Sequence, residues 1–122
     1  MDFDIPDAWW HEAEMTSFRP QSSGYLALPN EEFQVQLVPI EQVDPPLRDP
    51  GVTWFHHDRM VTILRGFRSN ARLPAIVAHC PPGANKFPFA VRDGLHRFYA
   101  SVAIGFTHVP LSIRPYFDIC DL

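Results

Sequence analysis

The chain has two cysteines, Cys80 and Cys120, in 122 residues. That is too few for a disulfide framework, and it favours a reducing compartment. No stretch approaches the ~18 consecutive apolar residues that a membrane span requires. The opening residues Met1, Asp2, Phe3 and Asp4 lack the basic and apolar stretches of a secretion leader, so a cytoplasmic protein is expected. Positive charge is also scarce overall, with a net charge of −4, which argues against non-specific attraction to duplex DNA. Lysine is nearly absent, since nine of the ten basic residues are Arg and only Lys86 is Lys. Arg offers a planar fork of donors matched to phosphate or carboxylate, whereas Lys offers a hydrated point charge.

The charges that are present are unevenly spread. Residues 1–47 carry nine acids and one base, residues 48–97 eight bases and three acids, and residues 98–122 one base and two acids. The centre of the chain is electropositive between acidic flanks. An apolar content of 46% over 122 residues supports one hydrophobic core and one ordinary domain.

Residues 90–113, AVRDGLHRFYASVAIGFTHVPLSI, organise the rest. Phe87, Phe89 and Val91 alternate with Pro88, Ala90 and Arg92, which predicts a half-buried strand arriving at Asp93-Gly94. From Leu95 the spacing becomes helical, with Phe98, Tyr99, Val102 and Ala103 as the inner face and Gly105 as the stop. Residues 109–113 alternate again and form the returning strand. A helix that opens at Asp93-Gly94 presents unsatisfied N–H groups and the positive end of its dipole, with His96 and Arg97 adding donors in the first turn. That is anion-binding chemistry. Equally, Asp93 could simply cap the helix, with Arg97 pairing on the surface.

Asp93-Gly94-Leu95-His96-Arg97, Ala100, Gly105 and Val109-Pro110 occur in the order of a known pattern and resemble the ParB/sulfiredoxin-like superfamily. That superfamily includes the free serine kinases and the nucleotide-binding N-terminal domain of ParB. Residues 35–48, with Asp44-Pro45-Pro46-Leu47-Arg48, resemble its opening strand and Pro-Arg loop, and residues 58–67 and 73–77 its helix and following strand. The resemblance covers residues 33–114. It implies a single α+β domain with a small mixed sheet over residues 31–122, preceded by an N-terminal extension over residues 1–30.

For function, the resemblance implies a nucleotide of the ATP or CTP class, with Mg²⁺ carried on its phosphates. Asp93, Gly94, His96 and Arg97 would hold the phosphates, assisted by Arg48, Arg59 and Thr62. NTP hydrolysis or phosphoryl transfer would be the associated chemistry. The serine kinases place their base, a Glu, in the Pro-containing loop; the matching position here falls at Leu47, which leaves Asp49 or Glu41 as the substitute base. Sulfiredoxin chemistry is excluded, because the thiol that it needs before His-Arg is replaced by Leu95. ParB's additional DNA-binding domains have no counterpart, so nucleic acid is not the expected partner.

Along the remaining chain, a short helix is predicted over residues 6–15 with Asp4 as N-cap. Its adjacent Trp9 and Trp10 point about 100° apart, so both are covered only in a groove or between two surfaces. Either the segment packs on its own domain as a lid, or it serves a protein partner or a homodimer. Residues 17–29 read as a linker or wrapping loop, residues 33–40 as a strand with one exposed or edge face, and residues 44–51, with three prolines, as an irregular loop. Residues 58–67 form a helix capped by Asp58, burying Met60, Ile63, Leu64 and Phe67 and leaving Arg59, Thr62 and Arg65 outside. Residues 73–80 make a buried strand ending at a small buried Cys80, then hairpin into residues 87–91. Histidines 56, 57, 79 and 96 with Cys80 lack metal-ligand spacing, and no protein-held metal is expected. Two rival functions remain: a catalytically idle accessory protein acting through Trp9 and Trp10, and a ParB-like nuclease or DNA-contacting module using the Arg-rich centre.

Overall fold

The computed structural model describes residues 5–20, 22–28, 35–44, 55–81 and 87–114. Three helices, α1 (Asp7–Glu12), α2 (His57–Arg68) and α3 (Leu95–Ile104), accompany five strands: β1 (Val35–Pro39), β2 (Val43–Asp44), β3 (Ile76–His79), β4 (Phe89–Asp93) and β5 (His108–Arg114). The strands form one mixed sheet in the order β1-β5-β3-β4-β2. β1 runs antiparallel to β5 and β4 antiparallel to β3, while β3 and β5, and β2 and β4, are parallel. This is an α+β fold, as the sequence predicts.

β3 lies at the centre, bonded to β5 on one side and β4 on the other, and Ile76 and Ala78 bury one of its faces completely while Val77 and His79 on the other are half-buried. α3 connects β4 to β5 and packs on β3, β5 and α2. The core joins Met60, Leu64 and Phe67 of α2, Phe98 and Tyr99 of α3, and Val38, Ile76, Val109 and Leu111 of the sheet. Ile5, Ala13, Met15 and Tyr25 belong to the same cluster, so the first thirty residues contribute to the core.

Several boundaries differ from expectation. α1 is shorter than residues 6–15, with Pro6 as its N-cap, and it ends where Glu14 turns into the left-handed region at φ 58°. Asp4 lies outside the described residues. α2 starts at His57 with His56 as N-cap, so Asp58 sits inside the first turn and caps nothing. There its carboxylate still favours the dipole. The buried face of α2 is Met60, Val61, Leu64 and Phe67, with Ile63 only half-buried, because α2 packs against α1 as well as α3.

α3 buries Phe98, Tyr99, Ala100 and Ser101, leaving Val102 and Ala103 half-buried. It is enclosed by the sheet and α2 together, which shifts its covered arc. Pro74 has no N–H to give a ladder. The strand predicted from residue 73 accordingly begins only at Ile76, and Leu73 bonds to the wrapping segment, donating to Leu26 O and accepting from Leu28 N. Cys80 is exposed, not buried. Asp44 belongs to β2, and the rest of the Pro-rich loop lies outside the described residues.

Candidate functional site

β4 delivers the chain to a sharp turn at Asp93-Gly94. Gly94 is buried with φ 117° and is the N-cap of α3, accepting from Phe98 N at 2.9 Å. No side chain caps this helix. Asp93 is exposed and does not perform the capping role open to it in the sequence. The N–H groups of the first turn, residues 95–97, therefore have no partner within the helix or from a cap.

The end of α3 is met by the beginning of α2. His56 N–H donates to His96 Nε2 at 2.7 Å, so the neutral ring carries its proton on Nδ1. Burial, reinforced by the positive charges of Arg59, His56 and Arg97, holds His96 below the ordinary histidine range. Phe55 is buried beside it, with ring centroids 5.7 Å from both His96 and Tyr99. Two helix N-termini thus converge on one place.

Between them lies an open cleft of about 860 Å³. Its lining brings together Arg59 and Thr62 of α2 with Asp93, Gly94, His96 and Arg97 of the turn and α3. Six residues singled out separately along the sequence share one surface. Arg59 and Thr62 are exposed on α2, available to a ligand. Arg97 is half-buried, and its Nε is completely buried without a hydrogen-bond partner. Its Nη2 lies 3.2 Å from where a Cβ on Gly94 would stand.

Three of the expected residues, Glu41, Trp9 and Trp10, are elsewhere. Glu41 is exposed in the 3-10 turn Ile40–Gln42, which precedes β2, and does not line the cleft. Val43 pairs with Phe89 at the far end of β4 from Asp93. Arg48 and Asp49 lie outside the described residues. Trp9 and Trp10 are half-buried against the core, Trp9 edge-on to His57 at 5.2 Å and Trp10 lining a separate cavity of about 310 Å³. Asp58, Ile63, Leu73, Pro74 and Leu95 complete the cleft. Periodicity assigns Asp58 to a cap and Ile63 to the core; in the fold Asp58 is exposed in the first turn of α2 and Ile63 is half-buried at the helix edge. Among the described residues, no group of three or more His, Cys, Asp or Glu is placed to hold a metal ion, and no helix is long and apolar enough to cross a membrane.

A mixed five-stranded sheet, with a helix opening at a Gly turn and a second helix facing it, defines a ParB/sulfiredoxin-like domain, and the chain has this fold. Two solved structures place it there. One is sulfiredoxin from Arabidopsis thaliana, at TM-score 0.53 and 16% identity over 68% of this chain and 86% of that one. The other is the C-terminally truncated chromosome-partitioning protein ParB from Caulobacter crescentus, complexed with CTP-γ-S, at TM-score 0.53 and 21% identity over 70% of this chain. The match spans 47% of that ParB chain. No protein-family model matches the sequence, and no curated protein matches it.

Proposed function

We propose that this domain binds a nucleoside triphosphate of the ATP or CTP class, its phosphates seated at the N-terminus of α3. The observation that carries this reading is Arg97. A guanidinium nitrogen buried without a partner is unfavourable in an idle surface turn, by about 1–3 kcal/mol, and the cost is relieved when the side chain turns to meet an anion in the cleft. The anion would also meet the free first-turn N–H groups, the positive end of the helix and, across the cleft, Arg59 and Thr62. Gly94 allows the close approach, and His96, neutral and held by His56, offers Nδ1–H as a donor. Asp93 stands at the rim, where a divalent ion brought in on the phosphates would be met through water. The apolar side, Ile63, Leu73 and Pro74, suits the uncharged part of such a ligand. The CTP-γ-S bound to the Caulobacter ParB structure supports the same ligand class here.

Binding is the function proposed first. Phosphoryl transfer or hydrolysis is added only if Arg48 and Asp49 reach the phosphates, since Glu41 is not among the cleft residues. The accessory-protein reading draws less support, because Trp9 and Trp10 pack on this domain's own core. The test is calorimetric titration with ATP and then CTP, with and without Mg²⁺. Micromolar binding by the wild type that is lost in Arg97→Ala is expected; no binding of either nucleotide overturns the reading.

A further inference from the structure

His57, the first residue of α2, has a carboxylate on each side. Its Nε2 lies 2.6 Å from Glu12 Oε2 and its Nδ1 2.8 Å from Asp58 Oδ1. A neutral imidazole has one N–H and one lone pair, so it can donate to only one carboxylate and must turn a lone pair on the other. The imidazolium donates to both. The geometry is that of the charged ring.

The two carboxylates belong to different elements. Asp58 is the next residue on α2 and lines the cleft, whereas Glu12 ends α1, forty-five residues away in sequence. α1 has no buried residue of its own. Around it, the anchors are Ile5 before the helix and Ala13 and Met15 after it. Besides the ring contact of Trp9 with His57, α2 makes polar contacts with this segment: Arg65 Nη2 donates to the Glu12 carbonyl at 3.3 Å, and Arg68 Nη1 lies 3.4 Å from Glu14 Oε2. Among the described residues, Glu12 and Asp58 are the charged groups paired with the imidazole.

We infer that His57 is a proton-operated clasp between α1 and the start of α2: as imidazolium it ties Glu12 to Asp58, and on deprotonation it releases one of them and loosens α1. Asp58 remains beside it in the chain, so Glu12 is the carboxylate free to leave. The clasp joins the N-terminal segment to a residue of the cleft, which gives proton concentration a route to the site's rim. Hydrogen bonds donated to Glu12 and then to Asp58 raise the pKa of His57 above its ordinary value. A raised pKa in the folded state means that the clasp is fully engaged below about 6.5 and is lost as pH rises through the folded value.

The test follows the His57 ring and the Trp9 indole N–H by NMR from pH 5 to 9, with no ligand present. His57 should titrate above the ordinary histidine value, and the Trp9 resonance should move with the same midpoint. Glu12 is exposed, so Glu12→Gln folds, and it should bring the His57 midpoint down. In His57→Gln the Trp9 resonance should lose that transition. An unshifted His57 midpoint, a Trp9 signal indifferent to it, or a midpoint unchanged in Glu12→Gln would each overturn the clasp. None of these readouts depends on nucleotide binding.

Discussion

Replacing Gly94 with Ala should be the most damaging single-methyl change near the cleft. Gly94 holds φ 117° and ψ 30°, outside the left-handed well near φ +57° that other residues occasionally adopt. That conformation alone costs an L-residue roughly 1–2 kcal/mol or more. The new Cβ would stand 3.2 Å from Ile76 Cγ1 and 3.3 Å from Ile76 Cα. Ile76 is fully buried and its backbone belongs to the central strand, so it cannot retreat, and overpacking adds about 1 kcal/mol or more. The stiffer unfolded chain returns about 0.4–1 kcal/mol. A net loss of about 1–3 kcal/mol follows, a sizeable part of the roughly 5–15 kcal/mol that holds a domain together.

For a chain of this size the melting temperature should fall by roughly 10 °C. Urea unfolding with an unchanged denaturant slope would give the free energy directly. The third neighbour is Arg97 Nη2 at 3.2 Å, the flexible end of a side chain, and its displacement should disturb the proposed anion site as well. A loss below about 0.5 kcal/mol would refute the reasoning, because it would mean that the turn relaxes into a conformation open to any residue. Gly94 would then have no steric reason to occupy the start of α3.

Arg97→Ala should have the opposite profile: nucleotide affinity lost but stability changed by less than about 1 kcal/mol, since truncation removes a buried nitrogen that has no partner; a urea-measured loss above about 2 kcal/mol would assign Arg97 to the fold instead. Ser101 is fully buried and its hydroxyl donates to the Arg97 carbonyl at 2.7 Å. Ser101→Ala should therefore lower stability by about 1 kcal/mol in urea unfolding without removing a cleft residue. His96 has a depressed pKa in the folded state, so its contribution is present above about 6.5 and lost as pH falls through the folded value. The drop in urea midpoint between pH 7 and pH 5 should accordingly be smaller in His96→Gln than in the wild type.

The elements that were legible in the sequence are those with strong local signals. β4, the Gly94 turn, α3 and its Gly105 stop follow from a change of hydrophobic period between two glycines, and both glycines indeed have positive φ. α2 was legible as a helix but not in its edges. His56 takes the N-cap position without a side-chain cap, so nothing in residues 56–58 marked the start. The sharing of one cleft by Arg59, Thr62 and the turn was accessible only through the family resemblance, because it depends on α2 packing beside α3. The hydrogen bond from His56 N–H to His96 had no signal at all, since a backbone donor leaves no trace in residue identity. Leu73 misled for a tertiary reason: its apolar neighbours suggest a strand, and Pro74 diverts it to residues 26–28.

A net charge of −4 and an anion site are compatible because the relevant field is local. Each helix N-terminus carries roughly half a positive charge, and α2 and α3 bring two of them together where His56 meets His96. Arg59 and Arg97 add two full charges, against the carboxylates of Asp58 and Asp93 in the same lining. Those four side chains would cancel. The balance is tipped by the helix ends and by His57, which, when protonated, neutralises Asp58 from behind. His96 holds its proton less tightly chiefly because it is buried, and the charges of Arg59, His56 and Arg97 act in the same direction. The cleft is thus most favourable to an anion when His57 is charged and His96 is not. The two histidines, His57 and His96, have their proton affinities shifted in opposite directions on either side of the same helix junction.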